Sequence, residues 1–433
     1  MIETKIPKQK ASTNLNPWSW VPSLYFIQGI PYIVVMSVAV TMYKTLNISN
    51  TEIALYTSWL YLPWVIKPLW SPMVDVLRTK RWWTWTMQLL IGGAFAGVAF
   101  TLPMDSFFQY SLAMLWLVAF SSATHDIAAD GFYMLGLRDD QQAFFVGIRS
   151  TFYRLAMLTG QGAVVYIAGT LATNMGDNFI QAWALTFGGI AVVLIGFSLY
   201  HAWILPKPEK EEVEQKNIAQ VMSEFGDTFI SFFQKPGVWI GVAFILLYRL
   251  GEAQLVKLAT PFLLDERAVG GLEITAQEQG IIYGTVGVAF LTAGGILGGY
   301  MVSQKGLKFW LWWMLLSLNL PNGLYILLSL FQPESLYIIG AAVAIEQFFY
   351  GFGFTALMMY MIYISDGEHK TAHYALCTGF MALGMMLPGM ASGWIQEAVG
   401  YTSFFTIVLV LALPGFVVAR YVKVDPAFGR KDK

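Results

Sequence analysis

From Phe107 to Phe120 the chain reads FFQYSLAMLWLVAF, and it continues without a turn signal into SSATHDIAADGFYM. An apolar helix of about 20 residues crosses the hydrocarbon core of a bilayer. Within that core each segment must satisfy its own backbone N–H and C=O groups, so a helix is what such a run forms. Breaks at charge clusters and at Pro, Gly and Asn delimit twelve runs of this kind. They lie near 17–43, 51–70, 82–104, 107–136, 141–170, 179–205, 236–264, 277–302, 306–331, 335–364, 370–398 and 401–422. Only 12% of the 433 residues are charged and 56% are apolar, whereas a soluble domain carries about 25% charge. The fold class expected is an all-α, multi-pass membrane protein.

Three lysines, Lys5, Lys8 and Lys10, precede the first span. That span is too long for the apolar core of a signal peptide and no small-residue cleavage site follows it, so it is expected to be retained. With the amino terminus placed inside, the inner segments hold nineteen Lys and Arg and the outer loops hold two, Lys44 and Arg267. The positive-inside rule then puts both termini in the cytoplasm. A net charge of −1 gives no ground for nucleic-acid binding. The one cysteine, Cys377, excludes an internal disulfide and a cysteine-based metal cluster.

KPEKEEVEQKNIAQ is the one long charged linker, and it divides the spans six and six. The expected organisation is an amino-terminal bundle over 1–205, a cytoplasmic linker over 206–235 and a carboxy-terminal bundle with a tail over 236–433. A repeat crosses the linker. A shift of 228 residues places Lys80 on Lys308, Trp82 on Trp310 and Trp85 on Trp313, with Asp75 on Ser303. Duplicated six-span halves characterise secondary transporters, in which the halves rock about a site at mid-membrane.

An ionised Asp near the centre of a spanning helix costs about 2.5–3.5 kcal/mol, so it persists when paired, hydrated or functional. Asp126 and Asp130 are four residues apart and share a helix face. If spans 4 and 5 fold back at Asp139 and Asp140, Arg149 faces Asp130, Tyr153 lies level with Asp126, and Arg154 approaches Asp126. A static clamp between the two helices and a proton-exchanging site are both compatible with such a cluster. Further polar groups fall at mid-span: Gln28 and Tyr32 on span 1, Tyr248, Arg249, Glu252 and Lys257 on span 7, Glu346 and Tyr350 on span 10. His125 sits about 100° around the helix from Asp126 and is expected to face a neighbouring helix. His125 and Asp130 also match the H-x-x-x-x-D pattern of acyltransferases, in which the histidine is a general base. No companion substrate motif accompanies it.

Gly299-x-x-x-Ser303-Gln304-Lys305-Gly306-Leu307-Lys308 resembles the cytoplasmic loop motif of the major facilitator superfamily. FIQGIPY, KPLWSPMVD, AFSSATHDIAAD, YRLAML, LYRLGEAQ, GGYMVSQKGL and the Glu346 segment, in that order, are similar to the anhydromuropeptide permease (AmpG) branch of that superfamily. The resemblance implies twelve transmembrane helices in two pseudo-twofold-related six-helix bundles, with spans 1, 4, 7 and 10 lining a central cavity. It implies a proton-coupled importer, not an enzyme, that carries cell-wall-derived anhydromuropeptides across the bacterial inner membrane and uses no cofactor beyond the proton gradient. Its partners are then a small glycan or glycopeptide, protons and lipid, and a monomer is expected. Asp126, Asp130, Arg149 and Arg154 become the proton-coupling cluster. Gln28, Tyr32, Tyr153, Tyr248, Arg249, Glu252, Lys257, Glu346 and Tyr350 become the substrate surface, and Lys67 and Asp75 an inner gate. Another oligosaccharide, a plain sugar or an acetylated metabolite is the alternative cargo.

Overall fold

The computed structural model describes residues 16–137, 139–207, 218–367 and 369–430. The amino-terminal lysines, Arg138, most charges of the linker and the side chain of Asp75 lie outside the described residues. All regular structure among the described residues is helical.

Among the described residues, twelve helical spans succeed one another: α1 (Pro17–Thr45), α2 (50–77), α3 (Lys80–Thr101), α4 (Phe107–Gly136), α5 (139–174) and α6 (Phe179–Ile204), then α7 (Val238–Leu264), α8 (Ala276–Lys305), α9 (Leu307–Phe331), α10 (Leu336–Ser365), α11 (370–399) and α12 (401–419). Among the described residues, nine stretches are long and apolar enough to cross a membrane. α2 is not one of them because prolines 63, 68 and 72 divide it into short helical pieces, and α3 is diluted by its Trp, Thr and Gln. The ninth runs through Gly400, whose φ of 75° turns the chain and separates α11 from α12.

Local chemistry sets the helix starts. Ser49, Thr79 and Asn178 each accept a hydrogen bond from the backbone N–H three residues on, and Thr275 closes a capping box with Glu278. Between α6 and α7 the strongly amphipathic helix Ile218–Phe233 lies at the linker end of the bundle, tied to α11 by Ser231 Oγ and His373 Nε2 at 3.0 Å.

α3 packs on α4 and α6 in the first half, and α10 packs on α8 and α9 in the second. The halves meet along α2–α11 and α5–α8. Exchanging the two halves turns one seam into the other, which is the pseudo-twofold relation that the repeat requires. At the end away from the linker these seams close until backbones touch. A Cβ on Gly284 of α8 would lie 2.1 Å from Gln161 O, and one on Gly393 of α11 would lie 2.4 Å from Thr51 Cα. The same far end carries a polar latch across the halves. Lys44 Nζ lies 2.5 Å from Asp265 Oδ1, while Tyr401 OH and Asn50 Nδ2 donate to Asp265 Oδ2 at 2.5 and 3.1 Å.

Candidate functional site

Below the latch, a cavity of about 630 Å³ opens between the halves, within the span of about 300–1,000 Å³ usual for small-molecule sites. α1, α2, α4 and α5 form one wall and α7, α8, α10 and α11 the other. Helix irregularities shape it. Pro31 and the wide turn Val34–Val38 bend α1, Thr159–Val164 loosens α5, Gly280–Gly287 loosens α8, and α7 breaks at Arg249.

Asp126 is the single residue that α4 contributes to this wall among the described residues. Gln28 Nε2 donates to its Oδ1 at 3.0 Å and Trp64 Nε1 donates to its Oδ2 at 3.0 Å. Three helices, α1, α2 and α4, therefore converge on one carboxylate, and the hydrogen bonds it accepts come from neutral groups. The nearby charges are those of Lys67, also on the wall, and of Asp130 one turn along α4. Tyr32 packs edge-to-face on Trp64 with ring centroids 5.3 Å apart, which fixes the indole that reaches Asp126.

Asp130 lies one turn further and off the wall. Arg149 Nη2 is 2.8 Å from its Oδ1, the pairing that antiparallel folding of α4 and α5 requires. Tyr25 OH donates to the same oxygen at 3.4 Å, and the guanidinium lies 4.5 Å from the Tyr25 ring centroid and 5.5 Å from that of Tyr133. Arg154 departs from expectation. It does not reach Asp126; it lines the cavity with no ion pair among the described residues, its Nη2 within 3.7 Å of where a Cβ on Gly295 of α8 would sit. A residue five positions after Arg149 points to a different side of α5, which is why both arginines cannot serve one carboxylate cluster.

On the opposite wall, Arg249 Nε donates to Glu252 Oε2 at 2.9 Å and Nη2 donates to Tyr350 OH at 2.6 Å. Tyr350 and Phe354 lie beside the guanidinium at 5.2 and 5.0 Å. Of the expected substrate surface, Tyr32, Tyr153, Arg249 and Tyr350 are on the wall, with Arg154 and Lys67. Five residues are not. Gln28 is buried behind Asp126, and Tyr248 is fully buried with its OH donating to Gly353 O at 2.8 Å. Glu252 is 1% exposed behind Arg249, and Glu346 is 2% exposed with Gln347 Nε2 donating to its Oε2 at 2.9 Å. Lys257 is 1% exposed and donates to Thr57 Oγ1 at 2.9 Å. The reason is common to all five: mid-span depth is legible in a sequence, but the direction a side chain takes around its helix depends on the neighbours.

Other wall residues gave weaker signals. Gln161, Tyr283 and Gln347 supply polar groups, and Met358, Met359, Met381 and Met385 supply a flexible apolar face. Met381 and Met385 share a helix face at four-residue spacing, a pattern that core packing produces equally well. His125 faces away from the cavity. Gln88 Nε2 lies 2.9 Å from His125 Nε2, Gln88 Oε1 lies 2.7 Å from His201 Nδ1, and Ser23 Oγ lies 2.9 Å from His201 Nε2. Both imidazoles can be neutral with Gln88 Nε2 donating to His125 Nε2 and His201 Nδ1–H donating to Gln88 Oε1, while Ser23 Oγ lies within reach of both His201 Nε2 and Trp20 O and His125 Nδ1 has no partner among the described residues. Because His125 serves Gln88 and Asp130 serves Arg149, the two do not form an acyltransferase dyad.

The sequence profile of the Major Facilitator Superfamily matches residues 23–363. The anhydromuropeptide permease of Escherichia coli (strain K12) is 27% identical over 360 residues, 82% of this chain and 69% of its own. A Rickettsia conorii protein that carries the name AmpG 4 is 26% identical over 413 residues, 92% of this chain and 94% of its own. Among solved structures, a D-xylose-proton symporter superposes with a TM-score of 0.70 at 10% identity over 96% of this chain and 99% of its own. The nucleoside transporter NupG does so with a TM-score of 0.65 at 16% identity over 93% and 96%. At those identities the likeness to the solved structures is one of fold.

Proposed function

This chain belongs to the Major Facilitator Superfamily and is a multi-pass membrane transporter of a small molecule, and on that premise we propose that it imports anhydromuropeptides in symport with protons. The cargo is N-acetylglucosaminyl-anhydro-N-acetylmuramic acid with or without its peptide, taken across the bacterial inner membrane by alternating access, with both termini and the linker on the cytoplasmic side. The named relatives support the substrate class. The observation that carries the coupling is the situation of Asp126.

Asp130 is neutralised by Arg149, whereas Asp126 stands on the cavity wall and, among the described residues, accepts only from an amide and an indole. Asp126 is therefore the carboxylate whose proton exchanges with cavity water, and Asp130 with Arg149 clamps α4 to α5. Gln28 is built to follow that exchange. Its Nε2 serves the carboxylate while its buried Oε1 has no partner among the described residues. Protonation gives Asp126 an O–H to donate, and rotation of the Gln28 amide offers Oε1 as the acceptor. Gain of a proton thus removes a charge from mid-membrane and reorders the contact between α1 and α4 at once, which favours the loaded, reorienting state.

Arg154 and Lys67 are wall cations placed to receive the lactyl or peptide carboxylates of such a cargo. The aromatic groups of Tyr32, Trp64 and Tyr350 suit sugar faces, and the methionines suit peptide side chains. The test is uptake of radiolabelled anhydromuropeptide into proteoliposomes with an imposed inward proton gradient. Accumulation that collapses when a protonophore dissipates the gradient is expected. Uptake that ignores the gradient removes the coupling, and equal uptake of the free disaccharide N-acetyllactosamine moves the cargo to plain glycans.

A further inference from the structure

Lys257 is buried in the seam between the halves, one layer behind the cavity. Its Nζ lies 5.0 Å from the ring of Tyr61, itself a wall residue, and donates to Thr57 Oγ1 at 2.9 Å. Thr57 passes its own hydroxyl hydrogen to Ile53 O at 2.7 Å, so it can only accept from the lysine. On the α11 side the lysine stem packs where a Cβ on Gly389 would lie 3.2 Å from Lys257 Cγ.

No carboxylate completes this site among the described residues. From α1, Lys44 is spent on Asp265 and Tyr43 OH meets Ser111 Oγ. From α2, Glu52 accepts from Ser49, Tyr56 is exposed, and Tyr61 presents its ring. From α11, Glu397 accepts from Thr51 N, and from α12, Tyr401 donates to Asp265. From α8, Glu278 closes its capping box. On α7 itself Glu252 is bound by Arg249.

An ammonium held in this setting is costly, since the repayment that a buried ion pair offers is missing. The cost exists only while the seam is shut. Parting α2 from α7 and α11 would open Nζ to water from the far end, and re-forming the seam removes that water again. We propose that Lys257 is a proton carrier of the transport cycle: it takes a proton from far-end water when the seam opens and yields it to cavity water on the Tyr61 side as the seam shuts. The proton moves between water and the Nζ lone pair, no other bond changes, and closure of the gate is thereby linked to its delivery. This inference rests on the alternating-access part of the proposed function and not on the cargo.

A substrate-free measurement keeps the two separable. Spin labels at Glu52→Cys and Val399→Cys, two exposed positions flanking the seam, report far-end opening by electron–electron distance in lipid nanodiscs, with Cys377→Ala as background. Between about pH 8 and about pH 5 the open-to-closed ratio of the otherwise unmodified protein is expected to rise by up to about tenfold per pH unit, the limit for one proton. Lys257→Gln, which carries no charge, should stay closed and lose that slope. Lys257→Arg, whose guanidinium keeps its proton, should stay open and lose it too. The two variants moving the ratio in the same direction, or either one keeping the full slope, would overturn the proposal, and the Arg variant decides alone if the Gln variant does not fold.

Discussion

At the residue scale, two carboxylates one helical turn apart have different fates because their neighbours differ. Asp126→Asn is expected to abolish accumulation driven by a proton gradient while sparing exchange of labelled for unlabelled cargo at equal pH, which needs no net proton movement. Loss of both would place Asp126 in binding and not in coupling. Gln28→Leu removes both the donor and the spare acceptor, so it should lower gradient-driven uptake about tenfold or more, the effect of about 1.4 kcal/mol, with exchange again less affected. Asp130 and Arg149 keep 43% and 33% of their side-chain surface, so their pairing contributes only about 0–1 kcal/mol. Asp130→Asn should therefore lower thermal stability slightly, and the charge swap Asp130→Arg with Arg149→Asp should recover most of it. The sequence placed both aspartates on one face. It could not show that Trp64, two spans away, would claim one of them.

At the scale of elements, the chain's irregularities coincide with its working surfaces. Pro31 bends α1 just before its cavity face, and the break at Arg249 lets that side chain turn toward Tyr350 while Glu252 stays behind it. The far-end seam depends on glycine for a steric reason. Gly284→Val would drive a side chain into the carbonyl of Gln161, and the expected result is a far end that cannot close, read as increased labelling of a cysteine placed at Thr57. The latch gives a second measure. Lys44→Ala and Asp265→Ala each shift the far end toward open, and a double-mutant cycle on the open-to-closed ratio should return a coupling of about 0.5–3 kcal/mol. Coupling near zero would mean that the pair decorates a seam held by backbone packing alone.

For the whole molecule, both seams are tight at the far end while the cavity continues toward the linker end past Ser150, Met358 and Thr378. In a Cys377→Ala background, Ser150→Cys and Met358→Cys should react with a membrane-impermeant thiol reagent supplied from the linker side and stay protected from the other. Equal reactivity from both sides would contradict a single closed end. The helix Ile218–Phe233 joins the halves outside the spans, touching the end of α2 and the start of α11. It is placed to move with them as the linker end narrows.

What the amino-acid sequence determined by itself is what depends on local chemistry and on the bilayer. Apolar runs and their breaks at charges, Pro, Gly and Asn placed the spans close to α1 to α12, because backbone groups in lipid have no partner outside their own helix, although α2 and α3 fall short on length or apolar content and α2 runs on to Leu77. The repeat at 228 residues announced two like halves. Fold-back geometry at Asp139 brought Arg149 to Asp130, since an antiparallel pair joined by a short turn fixes the register. The tertiary structure alone decided which of these polar groups reach the cavity. Gln28, Tyr248, Glu252, Lys257 and Glu346 sit at the right depth and yet lie behind the wall, because helix rotation is set by side-chain packing against several other helices at once. A pattern read along one chain does not contain that sum of distant contacts.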